Sequence, residues 1–254
     1  MQNTLRFFGI LLSALISAQI INYLADILPG KSGQTHVECH FCHRKRKFWR
    51  YLLLQPCHKC STKMHTRHYL VVIFIPILFL IALYFSKFFS TNNLVYGFTF
   101  FLFTYLGLVF VIDFEHRLVL HVTSAFGLLL CGWIGTSEYG FWPMFFGALA
   151  GFGIMFLLYQ LGFLFINRIN KNREEPITEV ALGFGDVTLS TVLGALAGWP
   201  SIIGVLLIGV LLGGLLSGLY LVVKSIQKEH KAFTALPYAP FLIIAVVGVF
   251  LFAG

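Results

Sequence analysis

Hydrophobic and polar positions in this chain fall into long blocks. Eight nearly continuous apolar runs, Leu5–Leu28, Tyr69–Phe85, Leu94–Ile112, Val119–Ile134, Phe141–Ile166, Phe184–Trp199, Ile202–Val223 and Tyr238–Ala253, are separated by shorter polar stretches. The period-two alternation of a half-buried strand or an outer-membrane barrel does not occur in them. Apolar runs this long read as helices that cross ~30 Å of hydrocarbon, the fourth and sixth being near the lower limit. The pattern predicts an all-α polytopic membrane protein with eight transmembrane helices.

Composition supports the same class. Hydrophobic residues make up 58% of the 254 positions and mean hydropathy is +0.84. Charged residues make up 11%, against ~25% in an ordinary soluble domain. A water-soluble fold of this size cannot hide so much apolar surface, so soluble, disordered and disulfide-framework classes are excluded. The net charge of +8 first suggests nucleic acid, but the placement of the charge gives it another meaning. Sixteen of the 18 Lys and Arg residues fall in four segments on one side of an eight-span chain: nine in Lys31–Arg67, then Arg117, then Arg168, Lys171 and Arg173, then Lys224, Lys228 and Lys231. Only Arg6 and Lys87 fall on the other side. By the positive-inside rule the basic side is cytoplasmic and both termini face outward. The same residues suit anionic lipid, and no nucleic-acid partner is expected. The first run follows a weak basic start, has no clear small-residue cleavage site and exceeds a signal-peptide core, so it reads as a retained helix. Three regions result: a first helix (1–29), a hydrophilic module (30–68) and a seven-helix core (69–254).

The module carries Cys39-His-Phe-Cys42 and Cys57-His-Lys-Cys60, two C-x-x-C knuckles with 14 residues between them. Two such knuckles close a tetrahedral four-thiolate zinc site, and a reducing compartment disfavours disulfides. His40, His43 and His58 are alternative ligands. So short a module has few apolar residues for a core, and metal is expected to supply much of its folding energy. Cys131, in an apolar run, reads as a small buried hydrophobe. GALAG occurs at Gly147–Gly151 and Gly194–Gly198, and Gly209, Gly213, Gly214 and Gly218 line another run; such small faces let helices approach closely.

The chain has only ten acidic residues. Asp113 ends the third run, and Asp186 follows Gly183-Phe184-Gly185 at the start of the sixth. The eight-span topology puts both at the cytoplasmic boundary. An ionisable group at membrane depth points to function. Two neighbouring carboxylates resist ionising together and share a proton. The ionised one then acts as base on a water while the protonated one polarises a scissile carbonyl. Gly183 and Gly185 let the backbone bend and a substrate strand come near. His116 is a candidate to tune Asp113. Asn22 and Asp26, an i, i+4 pair, are candidates to line the site or cap the first helix. The structural alternative makes Asp186 a helix cap and Asp113 an interfacial residue that reaches water.

Taken together, Leu28-Pro29, the paired C-x-x-C loop, Ile112-Asp113, Gly183-Phe184-Gly185-Asp186 and Leu236-Pro237-Tyr238-Ala239-Pro240-Phe241-Leu242, in this order, resemble the bacterial type IV prepilin peptidases. These are eight-helix inner-membrane aspartic proteases of the G-x-G-D class, and the resemblance covers essentially the whole chain. It implies that Asp113 and Asp186 are catalytic, that Cys39, Cys42, Cys57 and Cys60 bind zinc, and that Leu236 and Pro237 help hold substrate beside the active site. Family substrates are prepilins and pseudopilins, cut on the cytoplasmic side after a Gly that ends a short basic leader. Many members also N-methylate the new terminus using S-adenosylmethionine. The chain departs from the family pattern in a shorter loop between the knuckles, in Leu120-His121 where Pro-Asp is usual, in Thr188 where Lys is frequent, and in the absence of an acidic residue at Tyr69-Leu70-Val71-Val72. These departures bear on methyl transfer more than on cleavage. The competing classes are a proton-coupled transporter using Asp113 and Asp186 and a scaffold that docks a partner through the zinc module. Both aspartates sit at one edge of the membrane rather than at mid-depth, which favours the protease.

Overall fold

A computed structural model of the chain describes residues 2–29, 36–39, 41–42, 44–85, 93–170, 183–226 and 237–252. Leu236, His40 and His43, and the basic residues Lys31, Lys87, Lys171, Arg173, Lys228 and Lys231, lie outside the described residues. Among those described there is no strand, and the helices are α1 (Gln2–Ile27), α2 (Phe48–Leu52), α3 (Thr66–Phe85), α4 (Asn93–His116), α5 (His121–Tyr139), α6 (Phe141–Asn170), α7 (Phe184–Ala197), α8 (Ser201–Ile226) and α9 (Ala239–Phe252). All but α2 overlie the apolar runs.

Four helices are long and apolar enough to cross a membrane: Phe8–Ile27, Gly97–His116, Phe141–Arg168 and Ser201–Tyr220. The protein is a membrane protein on this ground. Thr66–Ala82, Phe184–Ala197 and Ala239–Phe250 are apolar but shorter. By length and composition, then, four of the eight predicted spans qualify.

The chain divides into two compact units, Met1–Ile112 and Asp113–Gly254. In the first unit α1 packs on α3. Gly107 of α4 makes room for both: a Cβ there would fall 2.8 Å from Ile21 Cδ1 and 3.1 Å from Ile75 Cδ1. The hydroxyls of Ser17 and Thr104 meet at 2.8 Å in the buried interior, a polar link of the kind that fixes apolar helices in register. Phe79 is fully buried, its ring 5.4 Å from that of Phe103.

The second unit is built around α7, which touches α5, α6, α8 and α9. Val187, Leu189, Leu193 and Ala195 are fully buried. A helix apolar all round is stable only when enclosed, and a helix enclosed by protein need not match the thickness of hydrocarbon, which accounts for the shortness of α7.

Its tightest neighbour is α6, and the two GALAG segments make that contact. A Cβ on Gly147 would lie 2.8 Å from Gly198 Cα, and one on Gly194 would lie 3.1 Å from Ala148 Cα. On α8, Gly209 and Gly213 receive Leu242 and Tyr238, whereas a Cβ on Gly214 or Gly218 would meet nothing within 4 Å.

Backbone obstructs backbone at Gly147, so relaxation is expensive. Gly147→Leu is expected to lower stability by about 3 kcal/mol or more. On the same helix, Gly153 faces open space, and Gly153→Leu is expected to be near neutral. Thermal unfolding in detergent compares the two, and equal melting temperatures would contradict the packing argument.

Candidate active site and metal site

Asp113 lies in the last turn of α4, at the first position of the second unit. Its backbone carbonyl accepts the N–H of Arg117 at 2.8 Å, and Arg117 turns into the left-handed region at φ 53° to end the helix. The side chain is buried at 4% exposure, and its Oδ2 has no hydrogen-bond partner. The backbone N–H of Ala239, at the start of α9, is directed at the carboxylate, and the Arg117 guanidinium is within electrostatic reach.

Asp186 occupies the third position of α7 and is 8% exposed. Its Oδ2 accepts the Gly183 N–H at 3.1 Å, while its own N–H donates to the Gly183 carbonyl at 3.1 Å. An acidic side chain at this position satisfies an otherwise orphan donor in the first turn, so Asp186 does cap its helix. The cap also fixes the carboxylate's direction. Gly183 is extended at φ −82°, a conformation open to any residue. Gly185 has the steric role: a Cβ there would fall 2.8 Å from Val119 Cβ. This close approach brings the start of α7 against the α4–α5 connection. Thr188 adds a link, donating to the Gly185 carbonyl at 2.8 Å and meeting the Ser124 hydroxyl of α5 at 3.3 Å.

Asp113 and Asp186, 73 positions apart in the chain, are thus buried in one unit, with Asp186 close enough to feel the charge of Asp113. Tyr238 stands within electrostatic reach of Asp186, and its ring packs on Phe241 at 6.4 Å. Pro237 precedes it, half-buried. Sequence reasoning quoted Tyr238 and Ala239 within the resemblance motif and counted Arg117 for topology, but gave none of them, nor Val119, a place at the site. The Pro-Tyr-Ala-Pro string at a helix start was the available signal for the first two. His116 is exposed and lies 3.9 Å from Glu115.

In the first unit the four loop cysteines come together. The knuckles are closed by backbone bonds, Cys39 N–H to Arg44 carbonyl at 2.9 Å and Cys57 N–H to Thr62 carbonyl at 3.0 Å, with Glu38 and Lys45 forming an antiparallel bridge. All four Sγ atoms lie within 4.8 Å of one another. Cys39–Cys60 is 3.5 Å, and Cys42–Cys57 and Cys42–Cys60 are 3.7 Å. A tetrahedron of thiolates ~2.3 Å from zinc has edges of ~3.8 Å, so the four cysteines fit a zinc ion and form a candidate metal site. Thr62 Oγ1 lies 2.7 Å from Cys60 Sγ and 3.6 Å from Cys39 Sγ, and Arg46 Nη2 donates to Cys39 Sγ at 3.8 Å. Burial opposes the Cys39 thiolate, but the backbone N–H groups of Cys42 and Phe41 and the Thr62 hydroxyl outweigh it and bring the thiol down to about 5. Such a thiol gives up its proton readily to a metal. Cys131 is fully buried.

Asn22 and Asp26 fasten the metal module to the helices. The Tyr51 hydroxyl of α2 donates to Asp26 Oδ2 at 2.6 Å, His68 Nε2 lies 3.0 Å from the same oxygen, and Arg67 pairs with Oδ1. Asn22 Nδ2 donates to the His68 carbonyl at 3.2 Å. Burial, then the charge of Asp26, pushes the Tyr51 phenol well up, so it remains a donor. Asp26→Ala leaves three polar partners without their acceptor and is expected to cost about 3 kcal/mol. Asp26→Asn, which keeps an acceptor oxygen, is expected to cost less. Unfolding midpoints of the two variants check the order, and equal midpoints would contradict it.

Fold and site together define a helical membrane protein with a buried pair of carboxylates and a four-cysteine module. Residues 100–218, the stretch that holds both aspartates, match the model of the type IV leader peptidase family. Over this stretch, a little under half of its length, the chain is similar to that family, which supports a prepilin peptidase assignment. No curated protein and no solved structure shows a significant match.

Proposed function

We propose that the chain is a membrane aspartic endopeptidase that removes the short basic leader from type IV prepilins or pseudopilins, cutting after a Gly at the cytoplasmic face of the bacterial inner membrane. One observation carries the reading: the buried carboxylate of Asp113, with its Oδ2 unpartnered, lies within electrostatic reach of Asp186 in the family-matched region. A carboxylate oxygen kept from both water and protein donors is poised for a substrate or an attacking water.

The chemistry needs one proton between the two groups. The ionised carboxylate takes a proton from water as the oxygen attacks the scissile carbonyl, while the protonated one donates to that carbonyl; the first then passes its newly gained proton to the leaving amine as the C–N bond breaks, and the second recovers a proton from the intermediate's hydroxyl. The Gly183 N–H holds Asp186 in place during this exchange. Eight spans, with the metal module and both aspartates at the cytoplasmic side, follow from the charge distribution and complete the topology. A structural zinc on Cys39, Cys42, Cys57 and Cys60 would hold the module's two knuckles together.

The test uses purified protein in proteoliposomes with a prepilin carrying its leader, read by intact-mass spectrometry. Loss of the leader at a Gly is the expected result. A prepilin left whole by active-site-intact, folded protein would end the proposal. Adding S-adenosylmethionine reads terminal methylation as a further mass increment in the same spectra.

A further inference from the structure

The short helix α2 presents a feature that neither peptide cleavage nor metal binding uses. Tyr51 is its buried side, 2% exposed, turned to Asp26 and to the His68 ring at 5.6 Å. At ~100° per residue, Trp49 and Leu53 fall on the side opposite Tyr51. They are 71% and 64% exposed, and Phe48 beside them is 52% exposed. An aromatic face this open, on so small a module, calls for a partner.

The depth of α2 follows from its contacts. Phe48 and Tyr51 meet the Tyr23 ring at 5.7 and 5.9 Å, while the Tyr51 hydroxyl reaches Asp26. Tyr23 and Asp26 are one turn apart on α1, separated by ~4.5 Å along its axis. A five-residue helix that touches both runs beside the last turns of α1, not beyond their end. Those turns belong to the apolar stretch Phe8–Ile27. The Tyr69 hydroxyl, in the first turn of α3, lies 3.5 Å from the Leu54 carbonyl, so both flanking helices hold α2 at the level where their apolar stretches begin. The side turned from Tyr51 therefore faces the bilayer margin. Arg44, Lys45 and Lys47, all exposed, immediately precede it. Tryptophan at headgroup level with adjacent Lys and Arg is the composition that suits an anionic leaflet surface.

We propose that α2 is an interfacial anchor: the Trp49–Leu53 face lies in the headgroup layer beside the end of α1, and Arg44, Lys45 and Lys47 engage anionic lipid headgroups. The anchor sets the height of the four-cysteine module against the membrane. It stands apart from the leader-peptidase reading, since it requires only that α1 enter a bilayer.

The full-length protein, labelled with 5-fluorotryptophan, is placed in nanodiscs containing phosphatidylglycerol, and the Trp49 resonance is assigned by its absence in Trp49→Phe. The expected result is broadening by lipid carrying a shallow doxyl label and protection from a water-soluble gadolinium chelate. Broadening by the chelate alone would place Trp49 in water and overturn the proposal. Insensitivity to both probes would show the face covered by protein, a second copy included, and would overturn it equally. In R44Q/K45Q/K47Q, the excess broadening by doxyl-labelled phosphatidylglycerol over doxyl-labelled phosphatidylcholine is expected to fall, by up to about fivefold for each charge removed. An unchanged excess would refute the headgroup contact. Metal content equal to wild type verifies that the variant module is folded.

Discussion

Asp113→Asn and Asp186→Asn are each expected to reduce leader removal by on the order of 10^3-fold or more, the scale of a lost proton-transfer group, while membrane abundance stays at the wild-type level. The two halves of the expectation have separate grounds. Asparagine is nearly isosteric with aspartate but can neither take a proton from water nor give one to a carbonyl. Stability is spared because Asp113 Oδ2 has no hydrogen bond to lose, and because an amide oxygen at position 186 still accepts the Gly183 N–H that Asp186 now receives. Burying a charge without full compensation is costly, so Asp113→Asn is expected to match or exceed the wild-type melting temperature. A catalytic group held at some expense to stability behaves in this way. The measurement is single-turnover cleavage at matched enzyme amounts, with thermal unfolding in parallel. Cleavage by either variant at the wild-type rate would remove that carboxylate from the mechanism. Wild-type cleavage together with lost proton-coupled uptake would point to the transporter instead.

Much of this arrangement was legible in the sequence because membranes simplify the reading. An apolar run bounded by polar residues is a helix whatever its neighbours do, so eight of the nine described helices could be placed from run lengths. The ninth, α2, could not. Phe-Trp-Arg-Tyr-Leu is too short to show a period, and it sits among cysteines and lysines that suggest loop. The four-cysteine spacing announced its own geometry, because two knuckles admit few arrangements around one ion. The Asp26 cluster did not: Asp26, Tyr51, Arg67 and His68 meet only after three helices have packed. The glycine repeats signalled close approach but not which faces meet, since every small-xxx-small stripe looks alike until a partner is chosen. At Asp186 the geometry bears out the capping reading, and the N–H that caps α7 also fixes the direction of the carboxylate.

Removing the metal is the other change with a large expected effect, and it falls on the first unit. A structural zinc supplies about 10 kcal/mol or more to a small module at neutral pH. Apart from Tyr51, Met64 and Cys39, few side chains between residues 36 and 65 are buried among those described. So little apolar burial cannot replace the ion. One zinc per chain is therefore expected in protein purified without chelator, and Cys57→Ser/Cys60→Ser is expected to abolish it. Residues 36–65 should then become open to protease and to rapid amide exchange. Tyr51 loses its fixed place in the same event, so its hydrogen bond to Asp26 goes with it, and His68 and Arg67 are left as that carboxylate's described partners. The helices themselves should persist, because α1 packs on α3 and is tied to α4 by the Ser17–Thr104 bond, neither of which involves the ion. Metal analysis, limited proteolysis and hydrogen exchange on the full chain follow the three consequences separately. If the double variant lacks zinc and its module stays as protected as in wild type, the metal does not fold it, and the buried Tyr51 contacts with Asp26 and His68 must suffice.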